Sequence, residues 1–370
     1  MRNSQCEDQN MQSFVIFSKT LWSEPPRLRH QVTHLLASYG HKVVFFEKPR
    51  FSLGTDLNYY GHRRDNDLIE LRRTNMLIHH QLRFTRLLAC ANEYIERKSI
   101  SSALDQNERI SAVVINFNYD YYFLNKLFPN NKIITIINDD FIATAKVMKG
   151  RHAIASLRRT CELSDTVLVV SEPLFDQVSK WCKPKMFYPW APVPYNPPLQ
   201  ARKRDSILLW GYIDKRIDLG LLRVLCMERP GYSLEIVGPI SRRSKRWLKR
   251  SLGNLSNITF SEAISVAEIN WDAYFCAVIP YVENHPANKA ITIANKTLSL
   301  MSHGLPIVVS GLPNFLEHEA IFKCTHSNRF IDAIDECYAA FFQLQGAIKE
   351  LVDSNQGSSR YAQIINEIAD

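Results

Sequence analysis

Short apolar runs of strand length alternate along most of the chain with segments whose apolar residues recur at helical spacing. In the first half this pattern predicts strands at 13–18, 41–47, 110–117, 132–139 and 166–171 and helices at 28–39, 68–98 and 147–163. The repeated order of strand, loop, helix and strand is typical of a parallel α/β domain.

A proline-dense segment, YPWAPVPYNPPLQARKRD, interrupts this pattern at 188–205. Because proline is excluded from helix interiors and central strands, we interpret it as an interdomain linker. The α/β pattern then restarts, with strands at 206–211, 233–238, 257–260, 274–281 and 304–310 and helices at 217–228, 241–252 and from about Ala294.

The sequence therefore predicts two doubly wound, Rossmann-like domains facing a cleft. We expect an N-terminal domain over 1–190, a linker over 191–205, a second domain over 206–327, and C-terminal helices over 328–370 that pack on the domains. In such sheets ligands bind beyond the carboxyl ends of the strands. The candidate sites are thus the loops that follow each strand.

Composition supports this organisation. A chain of 370 residues is too long for one ordinary core, which agrees with two domains.

The sequence also bears on where the protein is found and what it binds. It contains eight cysteines without a CxxC pair, which favours reduced thiols. Its N-terminus lacks a secretion signal, and no segment approaches the roughly 18 uninterrupted apolar residues of a membrane span. We therefore expect a cytoplasmic protein. The net charge of +8 favours anionic partners: nucleic acid, nucleotides or the inner leaflet.

One candidate site stands out in NKTLSLMSHGLPIVVSGLP, which predicts a helix that stops near Gly304 before a buried strand. Lys296 falls in the first turn of that helix, where the macrodipole disfavours a cation. A lone lysine there is more often a surface residue than a ligand. A diphosphate at the helix terminus would nevertheless suit both the amides and the ammonium.

The order WGYIDKRID, SLEIVGP, SNITFSEAI, VIPY and NKTLSLMSHGLPIVVSGLP resembles the donor half of GT-B nucleotide-sugar glycosyltransferases. The likeness is greatest to bacterial exopolysaccharide enzymes such as the xanthan glucuronosyltransferase. It implies that the donor is a UDP-sugar and that Lys296 contacts its diphosphate. It also implies that Glu262 contacts the nucleoside and that Tyr281 lies near the base. The donor-nucleotide residues that it implies are Gly211, Tyr212, Gly238, Glu262, Tyr281, Asn295, Lys296 and Ser299.

The N-terminal half resembles the same enzymes more loosely, which implies that it binds the acceptor. WSEPPRLRHQ corresponds to the family's first loop and helix, and places Arg27, Arg29 and Gln31 on the acceptor side. TIINDDFIATAK places Asp139 at the family's catalytic base, with Asp140 adjacent. Two other interpretations of the pair remain: a metal site, known from a different glycosyltransferase fold, and a helix N-cap at Asp140.

The resemblance implies inverting transfer without a metal or cofactor. Asp139 would take the proton of the acceptor hydroxyl, and Lys296 with helix amides would stabilise the leaving diphosphate. The chain departs from the family at Ser299, where many members have glutamate, glutamine or tyrosine. It also lacks, over 284–296, the two-glutamate signature of many retaining enzymes.

Basic segments such as ISRRSKRWLKRSLGN have two interpretations: a solvated surface helix, or contact with anionic lipid or a lipid-linked diphosphate. The favoured hypothesis is a glycosyltransferase of surface polysaccharide synthesis, peripheral to the inner face of the plasma membrane, with a glycan or lipid-linked acceptor. The alternatives are a catalytically silent GT-B relative and a basic nucleic-acid-binding protein. No nucleic-acid-binding motif supports the last.

Overall fold

The structure is a computed structural model that describes residues 11–24, 27–51, 61–76, 86–143, 145, 150–198, 204–264 and 266–369. The chain divides into two compact units. The first comprises Met1–Tyr188 together with Arg360–Asp370, and the second comprises Pro189–Ser359. The end of the chain therefore returns to the first unit.

The strands are numbered in chain order through the described residues. They are β1 (Ser13–Phe17), β2 (Lys42–Phe46), β3 (Arg50–Phe51), β4 (Gly61–Arg64), β5 (Ile69–Arg73), β6 (Asn75–Met76), β7 (Val113–Asn116), β8 (Ile133–Ile137), β9 (Thr166–Val169), β10 (Lys185–Met186), β11 (Ser206–Trp210), β12 (Ser233–Val237), β13 (Ile258–Ser261), β14 (Tyr274–Pro280), β15 (Ile307–Ser310) and β16 (Ile321–Cys324).

The helices follow the same convention. They are α1 (Leu28–Ser38), α2 (Arg86–Ala103), α3 (Gln106–Ser111), α4 (Leu124–Leu127), α5 (Gly150–Glu162), α6 (Glu172–Val178), α7 (Leu219–Glu228), α8 (Arg242–Leu252), α9 (Asn295–Ser302), α10 (Ser327–Ala339), α11 (Gln345–Ser354) and α12 (Gly357–Ala369). None of these described helices is long and apolar enough to cross a membrane.

The main sheet of the first unit has the strand order β10-β9-β8-β7-β1-β2-β5-β4 in the described residues. Its strands pair in parallel except β4, which runs antiparallel to β5, and β3 and β6 form a separate parallel pair. The apolar residues of the central β1, Phe14 to Phe17, are fully buried. Strand order reverses between β1 and β7, which makes the carboxyl ends of these two strands the expected ligand-binding edge.

The sheet of the second unit has the order β13-β12-β11-β14-β15-β16 in the described residues, with every pair parallel. Here the order reverses between β11 and β14. Ile207, Leu208 and Leu209 of β11 and Val308 of β15 are almost completely buried, as expected for strands covered on both faces. The prediction of parallel α/β architecture in both halves is confirmed.

The helix predicted over 68–98 is wrong in its first part, since β5 and β6 occupy 69–76 and α2 begins only at Arg86. Arg72, which lies on β5, is buried and donates to Glu108 Oε2 at 2.6 Å. An ion pair with Glu108, 36 positions away in the sequence, thus stabilises the buried charge of Arg72. The neighbouring residues alone give no sign of this burial. Strand β16, with only four residues, was not predicted either.

Candidate functional site

The carboxyl ends of β11 and β14 bring together three of the residues implied by the resemblance. Gly211 follows β11 and Tyr281 follows β14, at the point where the strand order of the second unit reverses. Gly211 has a φ of +127°, and a Cβ there would lie 3.5 Å from both Cδ and Nζ of Lys296. Those distances are ordinary van der Waals contacts, so it is the positive φ, which L side chains rarely adopt, that favours glycine at this position.

The ammonium of Lys296 donates a hydrogen bond to the carbonyl oxygen of Trp210, at 3.0 Å. That carbonyl ends β11, so it supplies a partial negative charge that offsets the unfavourable end of the helix dipole. A lysine ammonium has three donors. One is used by Trp210, and no other acceptor for this ammonium occurs among the described residues, so two donors are available to a ligand with anionic oxygens.

The first turn of α9 also lacks a conventional cap. Its N-cap residue, Ala294, has no side-chain hydrogen-bonding group. The hydroxyl of Thr297, fully buried in the same turn, has no hydrogen-bond partner among the described residues. Backbone amides left without a capping side chain at a helix N-terminus suit phosphate oxygens. The side chain of Asn295 lies outside the described part of the structure.

Gly238 has a packing role beside the same edge. A Cβ at this position would lie 1.9 Å from the carbonyl oxygen of Gly211, a distance that real atoms do not reach. The backbones that follow β11 and β12 thus contact each other directly. A side chain at position 238 would therefore displace the backbone of Gly211, the residue beside Lys296.

Tyr281 is buried, with only 7% of its surface exposed. The guanidinium of Arg216 lies 5.3 Å from the centroid of the Tyr281 ring, and the ammonium of Lys296 lies 5.5 Å from the same centroid. Asp214 holds Arg216 through a hydrogen bond of 2.8 Å. Burial opposes ionisation of Asp214, but the hydrogen bonds and charge of Arg216 outweigh it and lower the pKa of this carboxyl. The negative quadrupole of the Tyr281 ring favours both neighbouring cations.

The other implied donor residues have different surroundings. Glu262 follows the edge strand β13, and its side chain is 87% exposed and 3.6 Å from Lys245. Since β13 lies two strands from β11, Glu262 is about 10 Å along the edge from Gly211. Tyr212 is exposed beside Gly211, whereas Ser299 is buried within α9.

In the first unit, Asp139 and Asp140 follow β8 and have different surroundings. Oδ1 of Asp140 accepts hydrogen bonds from the backbone amides of Ile142 at 3.1 Å and Ala143 at 2.8 Å. Asp140 therefore stabilises the turn after β8, in the way that an N-cap residue does. Asp139 is exposed, so its carboxylate is accessible to a ligand.

The residues implied on the acceptor side lie at the start of α1. Arg27 is half-buried and pairs with Glu24 at 3.3 Å, and Gln31 is half-buried one turn further on. Arg29 is buried, and its guanidinium lies 5.8 Å from the Phe117 ring. Burial, followed by the charge of Arg27, lowers the pKa of Arg29 to about 10, while the negative charge of Asp139 acts in the opposite direction.

A further group, which the sequence reading missed, lies where the strand order of the first unit reverses. Lys19, just after β1, pairs with the buried Asp120 at 2.9 Å, and its ammonium lies 3.4 Å from the Tyr119 ring centroid. The rings of Tyr119 and Phe141 are 4.7 Å apart, and His152 lies 3.8 Å from Asp120. Two features of the sequence could have indicated this group. Lys19 directly follows the apolar run of the first strand, and the segment NYDYY, which combines aromatic and acidic residues, follows β7.

Comparisons with known proteins show similarity at the level of structure. No protein-family model and no curated protein sequence matches the chain. Sucrose-phosphate synthase from Thermosynechococcus elongatus superposes with a TM-score of 0.72 at 13% identity, covering 96% of this chain and 98% of that one. A UDP-forming α,α-trehalose-phosphate synthase from Burkholderia vietnamiensis gives a TM-score of 0.69 at 11% identity, covering 97% of both chains.

HepE from Anabaena, solved in complex with UDP and glucose, gives a TM-score of 0.68 at 10% identity, covering 97% of this chain and all of that one. Each similarity extends over nearly the whole length of both chains, through both units. Two parallel α/β units and these structural neighbours together show that the chain has the GT-B fold.

Proposed function

We propose that the chain is a glycosyltransferase that takes a sugar from a nucleotide-sugar, UDP-linked, and transfers it to a glycan or lipid-linked acceptor in surface polysaccharide synthesis. The observation that carries the proposal is the cluster at the strand-order reversal of the second unit. There Gly211, Lys296 and the uncapped first turn of α9 offer an ammonium and backbone amides to a diphosphate. Structural similarity to HepE, itself solved with UDP and glucose, supports a UDP-linked donor.

The proposed reaction is inverting. Asp139, an exposed carboxylate at the carboxyl edge of the first sheet, removes the proton from the acceptor hydroxyl as that oxygen attacks the anomeric carbon. The bond from the anomeric carbon to the diphosphate breaks, and the diphosphate leaves with the bonding electrons. Lys296 and the amides of α9 stabilise the negative charge that develops on it.

Titration of the full-length chain with UDP in a calorimeter tests the donor assignment. We expect saturable binding of UDP, and no comparable binding of uridine, because the diphosphate supplies the contacts with Lys296 and α9. Absence of UDP binding would contradict the proposed function. Binding of an RNA oligonucleotide in its place would favour the nucleic-acid-binding alternative.

We also propose that α8 contacts an anionic membrane surface. Its exposed side chains include Lys245, Arg246, Lys249 and Arg250, whereas Leu248 is buried against the domain. A helix that presents a cationic face while its apolar side packs inward contributes mainly electrostatic attraction to anionic lipid.

Sedimentation with phosphatidylglycerol vesicles tests this contact. Replacing Arg246 and Arg250 together by glutamine should weaken binding about 30-fold, since each basic residue near such a surface contributes about 1 kcal/mol. The matched control replaces two exposed lysines elsewhere in the unit, Lys289 and Lys349. Equal loss in both double variants would show a net-charge effect and refute a specific role of α8.

A further inference from the structure

The side chain of Arg29, in the first turn of α1, is buried without a hydrogen-bonding partner for its Nε. Only 6% of its surface is exposed. No described residue accepts a hydrogen bond from its buried Nε, and no described carboxylate forms an ion pair with it. Burial removes the hydration of this cation, and the charges of Asp139 and Glu24 do not restore its stability in full, since the pKa of Arg29 stays lowered. Buried charges are normally hydrogen-bonded, so anionic oxygens of a ligand would complete this group.

The two other buried arginines of the described chain, Arg72 and Arg204, each donate several hydrogen bonds. Arg72 donates to both carboxylate oxygens of Glu108, at 2.6 and 2.7 Å. Arg204 donates to Asp272 at 2.7 Å and to the carbonyl oxygen of Tyr274 at 2.9 Å. The buried Nε of Arg204 lacks a partner among the described residues, as that of Arg29 does, but both terminal nitrogens of Arg204 donate hydrogen bonds. Among the described residues, no acceptor bonds to a terminal nitrogen of Arg29.

The place of Arg29 points to the ligand. Its guanidinium lies over the ring of Phe117, the residue that follows β7. This is the edge where the strand order of the first unit reverses and where ligands bind in doubly wound sheets. The helix dipole at the start of α1 adds further positive potential. Asp139 follows β8, the strand beside β7, so it belongs to the same edge of the sheet, and its negative charge acts on Arg29.

We propose that Arg29 binds an anionic group of the acceptor, a carboxylate or a phosphate, through its guanidinium. This inference rests on the proposed function and narrows it: the acceptor is a charged saccharide and not a neutral one. A guanidinium presents paired donors that match two oxygens of either group. Bound there, the anion fixes the acceptor beside Asp139, the proposed base.

The test is calorimetric titration of the full-length chain, first saturated with UDP so that the donor site is occupied. Inorganic phosphate, glucuronate and glucose are the three probes. We expect phosphate or glucuronate to bind, and Arg29→Met to weaken that binding at least about tenfold. Phosphate binding would identify a phosphorylated acceptor, and glucuronate binding a uronic acid. Glucose binding should not depend on Arg29.

Two further variants make the result interpretable. Arg158→Met removes the same charge from an exposed position of the same unit, and should leave anion binding unchanged. Arg29→Lys keeps the buried cation but loses the paired donors, so it should fold like the wild type and still bind the anion more weakly. The melting temperature of Arg29→Met should not fall, because methionine fills the space of the stem without a buried charge.

Anion binding that is the same in wild type, Arg29→Met and Arg29→Lys would overturn the inference. So would the absence of any binding of phosphate or glucuronate to the wild type. Both outcomes are distinct from failure of the proposed function, which the preceding UDP titration reports separately.

Discussion

Replacing Asp139 by asparagine is expected to lower the rate of sugar transfer by about 10²–10⁴-fold while UDP affinity stays nearly unchanged. Asparagine has the same shape but accepts no proton at neutral pH, so the attack of the acceptor hydroxyl loses its base. UDP affinity is preserved because the donor contacts belong to the second unit, whereas Asp139 follows β8 of the first. Single-turnover transfer and UDP calorimetry on the same preparation measure the two quantities.

Asp140→Asn is the matched control for this experiment. The amides of Ile142 and Ala143 donate to Oδ1 of Asp140, and an asparagine oxygen accepts the same bonds. We therefore expect a modest change in rate and little change in stability. If Asp140→Asn abolished transfer and Asp139→Asn did not, the roles of the two residues would have to be exchanged. If UDP binding collapsed in Asp139→Asn, the assignment of this residue to acceptor chemistry would be wrong.

The fold could be predicted because its signals are local. Buried parallel strands give continuous apolar runs, and the prolines of 188–205 mark the boundary between the two patterns. The failure at β5 has the opposite cause. Arg72 is buried by a partner, Glu108, that is distant in sequence, so no local window distinguishes it from a solvated residue.

Two signals led to the predicted residues of the candidate site. The position directly after a strand pointed to Gly211, Tyr281 and Asp139, whereas Lys296 was predicted from a helix terminus and from the resemblance to GT-B enzymes. Neither signal extends to contacts between distant segments. The pair of Lys19 and Asp120 joins residues 101 positions apart, and the missing partner of Arg29 becomes visible only when its surroundings are known.

Lys296→Met is expected to weaken UDP binding by about 10- to 100-fold, since hydrogen bonds to charged groups contribute about 1.5–3 kcal/mol each. Methionine keeps the length of the stem but removes all three donors. The effect should shrink at high salt, because screening weakens the attraction between the ammonium and the diphosphate in the wild type. Calorimetric titration with UDP at two ionic strengths measures both. Lys289→Met, an exposed lysine of the same unit, is the control and should bind UDP like the wild type.

Lys296 also has a structural contact, and the two roles make different predictions. The hydrogen bond to Trp210 joins the start of α9 to the end of β11, and its loss should lower the free energy of unfolding by about 1 kcal/mol. If the lysine served only this purpose, Lys296→Met would melt at a lower temperature and bind UDP normally. If it binds the diphosphate, the same concentration of UDP should raise the melting temperature of the wild type more than that of the variant, because the stabilisation by a ligand grows with the logarithm of its concentration divided by Kd. The difference between the two UDP-induced shifts thus separates a residue that holds the site together from one that binds within it.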